Sequence, residues 1–425
     1  MPLPSTLSSS LTVQRQVLSN GIVVLTTENY AADIIAARIF LRVGGRYETP
    51  QQAGIAHLLT SVLTKGTERL SSMEIAERVE SVGASLSTDA SPDYCLLSLK
   101  TVSQDFAEML ALGAELLRSP SFPESEIELE RRLTIQGIRS SQEQPFAIAQ
   151  KQLRQAMYGN HPYAMSSLGT EETVAQLSRD DLVQFHRTYF RPDNVVISVT
   201  GHISPEDAIA LVEETFGDWL APAELLPILK LPPITTTPQT LKQAQETQQA
   251  IVMLGYLTPA VQHADYMPLK LLATYLGSGL SSRLFVELRE KQGLAYEVSA
   301  FYPTRLDPAQ FVAYMGTAPG NVAIALNGLR YELDRLATHR LSEDELQAAK
   351  NKLLGQYALG KQTNAQIAQI YGWYETLGLG IDFDQRFQQE ISAVTAETAQ
   401  IVAQRYFGDP FVSMVGPAEA IGKSV

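Results

Sequence analysis

Two rounds of one hydrophobic pattern run through this chain. Strand-like alternation first appears in "AARIFLRVGG" (36–45) and returns in "AIVMLGYLTP" (250–259). Each is followed by an apolar-periodic helix, over residues 52–65 in one case and 265–276 in the other. Paired strands come next, "ASLSTDASPDYCLLSLKTV" and "AYEVSAFYPTRLDPAQFVAYMGTA". Then a capped helix with an acidic first turn is expected, from "SFPESEIELERRL" and from "LSEDELQAAKNKL". Each round closes on an aromatic helix end and an apolar strand, "FHRTYFRPDNVVISVTG" against "AQRYFGDPFVSMVG".

Between the rounds lies "PAELLPILKLPPITTTP" (222–238), whose five prolines resist helix interiors and central strands alike. The pattern therefore predicts an α+β protein of two homologous domains, each a mostly antiparallel sheet covered by helices on one face. The boundaries fall at 1–220 for the first domain, 221–246 for a Pro-rich linker with an entry strand, and 247–425 for the second. The coarse element order is also shared by unrelated α+β domains, so the repeat needs the sheet topology to establish it.

Composition narrows the function. With 425 residues, two cores are expected rather than one. A net charge of −13 argues against a nucleic-acid partner. Cys95 is the single cysteine, which excludes an intrachain disulfide framework and a cysteine metal cluster. No apolar run reaches the roughly 18 residues a membrane span needs, and the start "MPLPSTLSSSLTVQRQ" lacks a leader pattern. A cytoplasmic location is the expectation.

The candidate chemistry begins in "GIAHLLTSVLTKGT" (54–67). Ile55, Leu58, Leu59, Val62 and Leu63 make one apolar helical face. His57, Thr60 and Ser61 stand at i, i+3 and i+4, which predicts that they share another. An inverted zinc motif, H-x-x-E-H, places two imidazole ligands and a general-base carboxylate at those offsets. Here Thr60 stands where the Glu would be and Ser61 where the second His would be. A hydroxyl at 60 is no base near neutral pH. The other histidines, His161, His186, His202, His263 and His339, show no local ligand spacing. His57 therefore reads as a hydrogen-bonded helix residue.

The frame "GGRYETPQQAGIAHLLTSVLTKGT" resembles the pitrilysin/insulinase family of inverted-motif zinc peptidases, which includes the mitochondrial processing peptidase subunits. "ELERRLTIQGIRSSQEQP", "MYGNHPYAMSSLGTEETV", "SSRLFVELREKQGLAY" and "VSMVGPAEA" extend the resemblance along the whole chain. It implies a third zinc ligand seven residues after the Glu of an E-R pair. That pair is Glu130-Arg131 here, and the ligand position holds Gly137. Glu130 is kept as the outer-shell carboxylate. The chain thus resembles the non-catalytic subunit of a two-chain member, with no metal of its own and zinc expected in the partner.

In the second half "LSSRLFVELREKQGLAYEVSAF" is undegraded, with Arg289 and Tyr296 seven residues apart. The resemblance implies that such a pair reaches the zinc site from the opposite half and contacts substrate backbone and the developing oxyanion. On residue pattern alone, Arg289 could instead pair with Glu287 or Glu290, and Tyr296 could belong to the core. Gly277 and Gly279 predict a flexible turn ahead of this helix, and no Lys-Ser/Thr follows to make a phosphate loop.

Two functions follow from the resemblance. One is a subunit inactive alone that pairs with a homologue carrying intact H-x-x-E-H, encloses unfolded peptides in a shared chamber and lends Arg289 and Tyr296 to it; homodimers are compatible with expression without that partner. The other is a purely structural assembly protein like the core subunits of ubiquinol–cytochrome c reductase.

Overall fold

The computed structural model describes residues 12–422. Residues 1–11, where no leader pattern is expected, and residues 423–425 lie outside them. Six strands form the first sheet: β1 (Val13–Val17), β2 (Val23–Glu28), β3 (Ile34–Leu41), β4 (Ser85–Ala90), β5 (Cys95–Val102) and β6 (Val195–Gly201), in the order β1-β2-β6-β3-β5-β4. Five form the second: β7 (Thr240–Ala244), β8 (Ala250–Thr258), β9 (Ala295–Phe301), β10 (Ala309–Thr317) and β11 (Phe411–Gly416), in the order β7-β11-β8-β10-β9.

The second order reproduces the first once β1 is set aside: β2, β6, β3, β5 and β4 map onto β7, β11, β8, β10 and β9. Pairing agrees as well. β2 with β6 and β7 with β11 are parallel, and the remaining pairs are antiparallel. Matching strand order and matching sense at every pair are the signature of a repeat. The fold is α+β, with two mostly antiparallel sheets covered by helices.

Helices Ile55–Leu63, Phe106–Arg118 and Pro205–Phe216 cover one face of the first sheet, and Tyr266–Gly277, Val322–Thr338 and Ala396–Tyr406 cover one face of the second. A further layer is exchanged between the halves. Helix Asn364–Thr376, from the second half, packs on β3, β6 and β2, while Pro145–Tyr158, from the first, packs on β11 and β8. This is why β6, β10 and β11 are buried at every residue: each is sandwiched between helices, and its sequence is accordingly a near-continuous apolar run rather than an alternation. One core cluster joins Val23, Leu25 and Phe40 of the first sheet to Ile367 and Tyr371. A second joins Leu153 and Met157 to Met253, Phe411 and Val415.

The two acidic-start helices differ at their caps. Glu343–Leu359 has the expected capping box between Ser342 and Glu345. Glu124–Glu143 starts after Pro123 with no side-chain cap, behind Phe122 at a φ of 47°. Proline presets the entry there but offers no oxygen to the first-turn N–H groups. Among the described residues no helix is long and apolar enough to cross a membrane.

Candidate functional site

The metal-motif helix spans Ile55–Leu63, shorter than the periodicity over 52–65 predicts. Pro50–Gln52 form a separate 3₁₀ turn, and Gly54 adopts a left-handed φ of 95°. Any side chain at 54 would strike the Leu168 carbonyl oxygen, 2.7 Å from the Cβ position. A buried carboxylate, Glu48, caps the helix start by accepting hydrogen bonds from the Gly54 and Ala56 N–H groups at 2.9 and 3.0 Å. Burial pushes its pKa up to about 7, against the lowering effect of those two bonds.

His57 is half-buried on this helix, and Thr60 does not share its face: Thr60 is 1% exposed. At 3.6 residues per turn, position i+3 lies about 60° from i, enough to bury a short side chain that i leaves half-exposed. The Thr60 hydroxyl donates back to the carbonyls of Ala56 (2.9 Å) and His57 (3.0 Å), and Ser61 donates to His57 (2.9 Å). Both hydroxyls are spent on their own helix, the usual fate of Ser and Thr in a helix interior. Glu130 forms an ion pair with Lys65 at 3.0 Å. Desolvation lowers the His57 pKa, with Glu130 and Asp89 opposing it.

These residues do not fit a zinc ion. The helix offers one imidazole; the other motif positions hold two hydroxyls bonded to their own helix and Gly137, an exposed glycine on helix Glu124–Glu143 with no side-chain donor atom. A Cβ at 137 would meet only Leu168 Cδ1, at 3.9 Å, so space for a longer side chain exists. Among the described residues no group of three or more His, Cys, Asp or Glu side chains could hold a metal.

The second-half motif is built on two backbone irregularities that the sequence did not reveal. Arg289 lies on a π-helix, Phe285–Glu290, where Lys291 N–H reaches the Val286 carbonyl at 3.0 Å. Tyr296 is the extra residue of a β-bulge: Ala295 pairs with Thr317 and Glu297 with Gly316. Both devices re-aim side chains and recur at functional sites. Thr317 Oγ1 fastens the intervening turn by donating to the Leu294 carbonyl at 2.6 Å.

Both side chains are exposed, Tyr296 at 56%. Arg289 does not pair with Glu287, which is held by Arg283 and Lys291, each at 2.9 Å; its guanidinium instead lies over the Phe285 ring at 4.9 Å. Phe285 is a positioning contact that residue spacing could have suggested, since it stands four before Arg289. The Gly277–Gly279 turn is pinned rather than loose: Gln356 Nε2 donates to Ser278 Oγ at 2.9 Å, and Lys352 Nζ to Ser281 Oγ at 3.2 Å.

Residues 23–171 match the family model described as insulinase (peptidase family M16), and residues 176–353 match that of the peptidase M16 inactive domain. Together they cover well over half of the chain. Among sequence relatives, the uncharacterized zinc protease YmxG of Bacillus subtilis is 29% identical, covering 96% of this chain and 98% of its own. An uncharacterized zinc protease of Streptomyces coelicolor is 28% identical over 96% of this chain and 90% of its own. A protease from Helicobacter pylori superposes with a TM-score of 0.91 at 23% identity, over 96% of this chain and 100% of its own. A peptidase M16 inactive domain from Pseudomonas fluorescens gives 0.89 at 23%, over 96% and 98%.

Proposed function

Because the chain belongs to the insulinase (M16) peptidase family, we propose that it is the zinc-less subunit of a two-chain metallopeptidase. One observation carries the reading: the metal-motif helix is fully built and packed, yet both its hydroxyls are bonded to its own backbone, while Arg289 and Tyr296 are held outward by a π-helix and a bulge. The frame persists because the apolar face of Ile55–Leu63 belongs to the first core. The metal is needed once per chamber. A cytoplasmic homologue with intact H-x-x-E-H supplies the zinc and the base, and this chain walls the cavity, holds unfolded peptide and offers the two donors. The displayed Arg289 and Tyr296 favour this over a purely structural assembly role.

The donors act where charge grows. As a carbonyl oxygen becomes an oxyanion, a guanidinium or phenol at hydrogen-bond distance stabilises it more than the neutral ground state. The test mixes this chain with the motif-bearing homologue from the same cell, followed by gel filtration and hydrolysis of an unstructured fluorogenic peptide. A heterodimer with raised turnover is expected. A homologue fully active alone that ignores this chain would end the reading, and copurification with a membrane complex would favour the structural role.

A further inference from the structure

The face of the first sheet that receives helix Asn364–Thr376 carries a row of polar side chains whose place is set by strand register. Arg38 on β3 pairs directly with Ser198 of β6 on one side and Ser98 of β5 on the other, and Ser98 pairs with Ser87 of β4. Directly opposed residues share a sheet face, so Ser87, Ser98, Arg38 and Ser198 form one line. The helix fixes which face this is: a Cβ on Gly372 would lie 2.5 Å from Phe40 Cε2 and 3.0 Å from Ser198 Cβ. It covers β2, β6 and β3 but not the β5–β4 end, so Ser198 is buried, Arg38 and Ser98 half-buried and Ser87 exposed.

Arg38 is a cation in the middle of a sheet, and among the described residues no carboxylate forms an ion pair with it. Its two hydrogen bonds, to the Ala37 and Leu99 carbonyls at 3.1 and 3.3 Å, both use Nη1. Nε and Nη2 are left for another acceptor, with desolvation acting on the group and no nearby carboxylate offsetting it. In the next row Phe40 pairs with Leu96, which is half-buried, and Tyr94 meets the Phe40 ring edge-on at 5.2 Å. In the row on the other side Ala36 pairs with exposed Lys100. A guanidinium fork flanked by hydroxyls, with an apolar shelf on one side and a second cation on the other, matches a carboxylate attached to a side chain.

We propose that this row is a binding site for the C-terminal carboxylate of an extended peptide, Arg38 holding the carboxylate and Leu96 and Tyr94 receiving the last side chain. The proposal deepens the peptide-holding role and rests on it. It assigns polarity: substrate lies with its C-terminal end over β3 and β5. Asp89, at the far β4 end of the apolar row, would repel a carboxylate displaced toward it and so favours the Arg38 position.

The test uses the full chain alone and fluorescence anisotropy of an N-terminally labelled, unstructured peptide as free acid, as C-terminal amide, and as amide with an added penultimate glutamate. The free acid binds about tenfold or more tighter than the amide, the factor of a hydrogen-bonded charged pair. Arg38→Gln removes that difference and leaves amide affinity unchanged. Lys100→Gln, at an exposed position that tolerates change, narrows it, which keeps the test open if Arg38→Gln does not fold. Equal binding of acid and amide, or discrimination that survives Arg38→Gln in folded protein, overturns the site. Full recovery of affinity by the glutamate amide overturns the terminal assignment. Failure to bind any of the three counts against peptide holding itself, whereas heterodimer formation is measured separately.

Discussion

Phe40 on β3 lies directly beneath Gly372 of a helix from the other half of the chain, so close that a single methyl group at 372 would stand 2.5 Å from the ring. The two halves meet there backbone to side chain. The same surface carries Arg15 on β1 paired with Glu375 at 2.9 Å, and Asn29 bonded to Asn364 at 2.6 Å.

Gly372→Ala should therefore destabilise the whole chain, not one half. Overpacking of this kind costs about 1–3 kcal/mol, because Phe40 is wholly buried and Ser198 blocks the other direction. Urea unfolding followed by the intrinsic fluorescence of Trp219 and Trp373, one per half, should show one shared transition moved to lower denaturant. Separate transitions, or no shift, would contradict the interlock.

The purified chain should carry no stoichiometric zinc, and His57→Ala should leave metal content and peptide hydrolysis at the wild-type background. Thr60 and Ser61 offer only neutral hydroxyls, which are weak zinc ligands beside imidazole, thiolate or carboxylate, and Gly137 has no side-chain donor. Elemental analysis giving about one chelator-sensitive zinc per chain, lost with His57→Ala, would refute this.

In the assembled heterodimer, Arg289→Ala or Tyr296→Phe should lower turnover by about 10²–10³, the usual loss on removing one oxyanion donor. Assembly and the partner's zinc should be unchanged, since both side chains are exposed in this chain. Phe285→Leu should cause a smaller loss, about two- to fivefold as for a surface cation–π contact, and none when Arg289 is already alanine. Silent Arg289 and Tyr296 variants with normal assembly would leave this subunit a passive wall.

Glu48 gives the fold a definite pH signature. Its folded pKa of about 7 lies above the ordinary 4.5, so between those values the native state binds more protons than the unfolded one. The sign follows: its contribution is fully present below about pH 4.5 and lost as pH rises through 7. The difference is worth up to roughly 3 kcal/mol at 1.36 kcal/mol per unit. Glu48→Gln removes this titration, so the stability advantage of wild type over the variant should shrink from pH 5 to pH 8. A constant or widening gap in melting temperature would show that the two N–H bonds outweigh desolvation.

The sequence by itself determined much of this protein. Local periodicity is a property of neighbouring residues, so the alternation in 36–45, the apolar face of Ile55–Leu63, the Ser342/Glu345 cap and the prolines of 222–238 were legible without coordinates. The departure from the zinc motif was legible too, because residue identity alone shows that Thr60, Ser61 and Gly137 supply neither the carboxylate nor the imidazole that the motif uses. What tertiary structure decided are relations between distant segments. Only sheet register places Ser98 and Ser198 on either side of Arg38, and only the bulge opposite Gly316/Thr317 singles out Tyr296. The apolar run of β6 says that both its faces are covered but not by what. The exchange of Asn364–Thr376 for Pro145–Tyr158 is a choice of packing partner, and apolar surface is non-directional: the residues specify that they be buried, and shape complementarity such as Phe40 against Gly372 selects where.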